Sequence, residues 1–268
     1  MINSLKELYK YRQLLYVLVS RELKAKYRGT VLGFFWSFMN PILLVTVYSI
    51  VFGLIFKPRY AEMEKSIYYS LFFFSGILPW TWFSSSLLES ANVLIINGPL
   101  IKKIKFPVEI LPIMVVVTNM IHFILGVPIL IIAFLILGKS LSLWILFLPI
   151  DMFAQFIFTM GLGFLISSLT VHFRDIKDIL MNMLTLWFFV TPIIYPFSFG
   201  PIQNSRLLKF FLSLNPMTHI IESYQYTFFY GSLPHYKRLF ITILIGLLFF
   251  YIGYKIFDKL RDTFVEEV

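Results

Sequence analysis

Apolar residues gather in six long blocks along the chain, near residues 31–56, 67–95, 108–137, 143–169, 178–196 and 238–257. Polar residues are confined to short interruptions between them: KPRYAEMEKS, NGPLIKKIKFP, GKSLS, VHFRDIKD and a longer stretch over 197–236. A helix needs about 20 apolar residues to cross about 30 Å of hydrocarbon. The pattern predicts six transmembrane helices in an all-α polytopic membrane protein, a single transmembrane domain over residues 1–268. No internal repeat or low-complexity segment is visible.

The first 30 residues fit neither a span nor a signal peptide. The apolar run Leu14–Val19 is too short to cross, and no small-residue cleavage site follows an apolar core. Lys6, Lys10, Arg21, Lys24 and Arg28 recur at helical spacing, while Leu5, Leu8, Val19 and Leu23 lie off that stripe. The segment 1–30 therefore reads as an amphipathic interface helix in the headgroup layer; an ordinary solvated helix is the alternative. Between Asn204 and Gly231, two apolar-periodic pieces meet at Asn215-Pro216, where proline ends or kinks a helix. Each is too short to span. They form either a re-entrant pair before the last span or a helical hairpin lying flat on the membrane.

Composition strengthens the membrane reading. With 59% hydrophobic and 14% charged residues, the chain has too few polar side chains to cover its apolar mass in water. The charges carry orientation. Six spans put both termini on one side, and that side, with residues 1–30, the knot 97–107, VHFRDIKD and the residues after Tyr254, holds fifteen Lys and Arg against eight on the other. The richer side should be cytoplasmic.

Chemistry-bearing motifs are scarce. There are no cysteines, and His122, His172, His219 and His235 have no partners at metal-ligand spacing. No phosphate-binding loop, zinc-protease helix or nucleophile elbow occurs. The ionisable residues inside apolar blocks are Glu89, Glu109, His122 and Asp151. Glu89 and Glu109 fall near span ends, within reach of water or a lysine of the knot. For His122 and Asp151 an interhelical hydrogen bond competes with a substrate or proton role. Aromatics make up 19% of the chain. Trp36 and Trp144 suit an interfacial belt, whereas Trp80, Trp82 and Trp187 fall toward mid-span. Phe38, Val45, Tyr48 and Phe52 share one helical face, where aromatic rings offer a passage its lining or simply pack against lipid. Breakers at Asn40-Pro41, Gly76 to Pro79, Gly126 to Pro128 and Thr191-Pro192 suggest kinked spans around a gated conduit.

Three stretches carry a resemblance. RELKAKYRGTVLGFFWSFMNPI (21–42), NGPLIKKIKFP (97–107) and LNPMTHIIESYQ (214–225) resemble segments of the permease subunits of ABC-2 type polysaccharide exporters, a likeness that extends over essentially the whole chain. It implies a homodimer in the cell inner membrane with two copies of a nucleotide-binding ATPase subunit beneath it. ATP and magnesium would sit on that partner, with no cofactor, catalytic residue or metal on this chain. The cargo implied is a polyprenyl-diphosphate-linked polysaccharide, O-antigen first, then teichoic acid or capsule. Gly98, Pro99, Leu100, Ile101, Lys102, Lys103, Lys105, Phe106 and Pro107, with Arg174, Asp175 and Asp178, would couple to the ATPase. Phe38, Tyr48, Phe52, Trp187 and Tyr195 would line the passage, and Asn215, Pro216, His219 and Glu222 would form the external gate. An ABC importer is disfavoured, because the glycine of its coupling motif falls three positions late at Gly98. A lipid or drug exporter of the same class stays open. A membrane-embedded glycan-processing enzyme has only Glu222, His219 and His235 to work with.

Overall fold

The computed structural model of the chain describes residues 10–26, 35–51, 68–104 and 106–267. The regular elements among the described residues are all helices: α1 (Arg12–Lys26), α2 (Trp36–Ile50), α3 (Tyr68–Ile96), α4 (Gly98–Lys103), α5 (Ile110–Ile136), α6 (Leu148–His172), α7 (Ile176–Val190), α8 (Gly200–Asn204), α9 (Arg206–Leu214), α10 (Pro216–Gln225), α11 (Tyr236–Leu260) and α12 (Phe264–Glu267). A 3₁₀ turn at Leu143–Phe147 leads into α6, and a π-helical turn at Tyr226–Tyr230 follows α10.

Four helices, not six, are long and apolar enough to cross a membrane among the described residues: Tyr68–Ile96, Ile110–Ile136, Leu143–His172 and Tyr236–Glu267. This corrects the six-span expectation at two places. The block 178–196 yields α7, whose 15 residues rise about 22 Å, short of the roughly 30 Å hydrocarbon layer. A proline disfavours helix at the residue before it, although α3 and α5 run through Pro79 and Pro128. Thr191, before Pro192, sits at φ −92° and ψ 135°, so the apolar residues beyond it do not prolong α7. The block 31–56 is described only over 35–51, where α2 also has 15 residues. Phe52 and Lys105 lie outside the described residues, as do the side chain of Phe38 and much of the 1–30 segment.

Helix α3 is the centre of the bundle, with Phe72, Phe83 and Leu87 fully enclosed. It packs on α5, α6, α7 and α10. Two side chains pin it: the Trp82 indole donates to the Val116 carbonyl of α5 at 3.2 Å, and the Gln155 amide of α6 donates to the Pro79 carbonyl at 2.7 Å. In lipid, such polar contacts and close packing, rather than burial from water, hold helices together. Helices α6 and α11 meet along a glycine seam. A Cβ added to Gly253 would overlap the Gly161 carbonyl, and one at Gly161 would overlap the backbone of Phe249 and Phe250. The opposite face of α11 presents Phe240, Leu244, Leu247 and Leu248 outward, as lipid contact requires.

Candidate functional site

Charged and conformationally special residues collect at the two ends of the bundle. At one end the knot folds as a helical turn followed by an extended residue. The Leu100 and Ile101 amides donate to the Asn97 carbonyl at 2.9 and 3.0 Å. Pro99 occupies the first turn of α4, where its missing N–H is not needed. Ile104 then turns extended, at φ −128° and ψ 131°. Ile101 is buried as the anchor, and Lys102 and Lys103 point out.

Three other segments meet the knot at this end. The Arg21 guanidinium of α1 donates to the Asn97 amide oxygen at 3.5 Å, and Lys26 pairs with Glu89 at 3.2 Å. Glu89 also accepts from the Asn119 amide at 2.6 Å. Among the described residues its partners are thus on α1 and α5, and it also stays open to water. Buried Glu109 pairs with Arg261, past the end of α11, at 3.3 Å. The Thr263 hydroxyl lies 3.1 Å from the His172 Nε2 at the end of α6. Arg174 and Asp175 in the turn that follows, and Asp178 in the first turn of α7, are all exposed. Helix α12, anchored by fully buried Phe264, packs on both α4 and the end of α6. The two sequence-predicted coupling stretches are therefore joined through the C-terminal tail. Sequence reasoning missed Arg261 and its pairing with Glu109; the legible signal was Lys259 and Arg261 set among the acidic residues of 258–267.

A cavity of about 570 Å³ opens between α2, α3 and α5. Tyr48 and Trp82 face it beside Ser85, Asn119 and His122, with Lys26 at its edge. Tyr48 packs on Phe73 with ring centroids 4.1 Å apart.

At the opposite end Asn215 is a hub. Its amide oxygen accepts from the Trp187 indole at 2.9 Å and caps α10 through the Met217 amide at 3.0 Å, while its amide nitrogen donates to the Thr191 hydroxyl at 3.1 Å. Trp187, expected in the passage, and Asn215, expected at the gate, are therefore direct partners. Pro216 starts α10 beside them. Tyr195 stands apart from this group and donates to the Phe189 carbonyl at 2.9 Å. Helices α9 and α10 differ sharply: α10 buries nearly every side chain, whereas α9 buries only Leu212. Beneath α10, fully buried Asp151 accepts from the Ser223 hydroxyl at 2.5 Å and the Thr227 hydroxyl at 2.8 Å. Replacing Asp151 by alanine strands two buried hydroxyls and is expected to cost about 2–4 kcal/mol, read as a lower thermal unfolding temperature in detergent. Asp151→Asn, which keeps an acceptor, should lose less. Equal stability of all three proteins would contradict the role assigned to this carboxylate.

Glu222 pairs with Arg238 at 3.2 Å, and His219 Nδ1 lies 3.9 Å from it. The His219 Nε2 lies 2.8 Å from the Ser213 carbonyl, and His235 stacks edge-on to Tyr226. The space beside this group is about 10 Å³, at most a single water. A glycan-processing site has no room there. Among the described residues, no group of three or more His, Asp or Glu is placed to hold a metal ion.

Residues 13–229 match the family model of the ABC-2 type transporter. The chain is 37% identical to the O-antigen export system permease protein RfbA of Myxococcus xanthus over 272 residues, covering 100% of both chains. Two proteins of the same description from Klebsiella pneumoniae are 31% and 32% identical, each over 94% of both chains.

Proposed function

The chain belongs to the ABC-2 type transporter family, a multi-pass membrane permease, and we propose that it is the membrane half of an ATP-driven exporter of a lipid-linked polysaccharide. The observation that carries this reading is full-length similarity to O-antigen export permeases, in a chain without a phosphate-binding loop of its own. Energy must then come from a separate ATP-hydrolysing subunit, which brings ATP and magnesium.

The end bearing the knot is the docking face in this reading, and it faces the cytoplasm because basic segments are retained there. That side assignment does not depend on the number of spans, since Arg21 of α1 and Arg261 of the tail reach the same end as Asn97 and Glu109. Closure of the ATPase pair pushes on residues 98–107 and 171–178. Helix α4 transmits the push because Gly98 and Ile101 are buried against the bundle. A second copy of the chain covers the outward face of α7, where Asn182 and Thr185 interrupt Met181, Met183 and Leu186. Polar side chains on such a helix are better placed against another protein surface or a wet passage than against lipid. The glycan threads between α2 and α7 of the two copies, with Tyr48 and Trp187 in its path and α9 and α10 as the outer gate.

Deleting the gene should leave lipid-linked glycan on the cytoplasmic leaflet and none at the surface, and the intact chain should restore display. Tyr48→Ala should slow display roughly threefold to tenfold, the loss expected for one aromatic contact, at unchanged protein level. Normal glycan display in the deletion strain, with a different lipid or drug retained in the cell, would replace the polysaccharide by that cargo.

A further inference from the structure

We infer that the C-terminal segment 261–265 completes the docking surface for the ATP-hydrolysing partner, with Arg261 as the positioning residue that locks it against the knot. This rests on the proposed function, which supplies the partner. Between the knot and the tail runs a groove of about 530 Å³. Phe106 and half-exposed Val265 give it an apolar floor, and Lys102 and Lys103 stand on one rim. Neither lysine has an ion pair among the described residues. Both lysines are exposed, so the groove complements a partner segment that carries carboxylates beside an apolar side chain.

The tail is held there rather than left loose. Arg261 bonds Glu109 at 3.3 Å and Asp258 at 3.2 Å, so one guanidinium ties the foot of α11 to the start of α5. Glu109 is buried, and an unpaired carboxylate there would be costly, which fixes the guanidinium in place. Phe264 packs on Phe257 with centroids 5.1 Å apart, and Thr263 meets His172. The tail thus bridges the knot and the end of α6. A partner seated in the groove touches the knot and the tail, and a push on the tail reaches α11, which it directly continues, and the end of α6 through Thr263.

The absence of cysteine makes single-thiol labelling clean. Lys102→Cys, Val265→Cys and, at the opposite end, Lys237→Cys are each purified with and without the ATP-hydrolysing subunit that co-purifies with the tagged chain, and are reacted with a maleimide dye. The complex should slow labelling of Lys102→Cys and Val265→Cys about tenfold or more and leave Lys237→Cys unchanged. Adding Arg261→Gln should restore labelling at position 265 but not at 102, and Arg261→Lys should behave as the parent. Protection at 102 with free labelling at 265 would overturn the role of the tail while leaving the transporter reading intact. No co-purifying ATP-hydrolysing subunit at all would overturn the transporter reading itself.

Discussion

Replacing Gly161 by leucine is expected to separate α6 from α11 and to leave no monodisperse protein in detergent. The two helices approach until backbone touches backbone: a single Cβ at Gly161 would lie 2.4 Å from the Phe250 nitrogen and 2.5 Å from the Phe249 carbonyl carbon. A flexible side chain could swing aside, but a helix backbone moves only as a whole. Ordinary overpacking costs about 1–3 kcal/mol, and a clash with backbone belongs at or above the top of that range. Because α11 carries Phe257, it would take the tail and the Arg261–Glu109 pair with it. A Cβ added to Gly200 would meet nothing within 4 Å, and Gly200→Leu should stay within about 0.5 kcal/mol of the parent. Size-exclusion chromatography and thermal unfolding of the two variants check the contrast. Equal behaviour would mean that the seam does not hold the bundle.

The double variant Lys102→Glu and Lys103→Glu should fold normally and lose its ATPase. Both side chains are exposed and bury nothing, so the bundle has no reason to change. Reversal turns a basic rim acidic, and like charges across an interface cost several kcal/mol. Co-purification of the ATP-hydrolysing subunit should drop by about a hundredfold, and stimulated hydrolysis should vanish with it. An unchanged complex would reduce the lysines to markers of membrane sidedness.

Much of this was legible in the chain. The apolar blocks announce an all-helical membrane protein, and Asn215-Pro216 marks the junction between α9 and α10. Thr191-Pro192 was equally visible, yet it reads as a kink in a long span whereas the helix ends there. A proline only disfavours helix at the preceding residue: α3 and α5 run through Pro79 and Pro128, whereas α7 stops before Pro192, and which of the two happens depends on tertiary contacts that the sequence does not display. For the acidic residues near helix ends the sequence suggested water or a lysine of the knot, and the observed partners lie elsewhere. Glu89 finds Lys26 and Glu109 finds Arg261, 152 residues away, because helix packing rather than chain proximity sets the distances. Gly246 and Gly253, seven residues apart on one face with Thr242, were a readable stripe of small residues, and they mark the side of α11 that meets α6.

The central claim is that ATP hydrolysis on a partner, received at the knot, drives a lipid-linked glycan through this chain. Reconstituting the chain with its co-purifying ATP-hydrolysing subunit and measuring vanadate-sensitive hydrolysis, with and without lipid-linked polysaccharide, tests it most directly. The account predicts a complex whose hydrolysis rises severalfold with the glycan lipid and whose rise is lost in the double lysine variant. A chain that remains alone, or a complex whose hydrolysis ignores the glycan lipid, would contradict it.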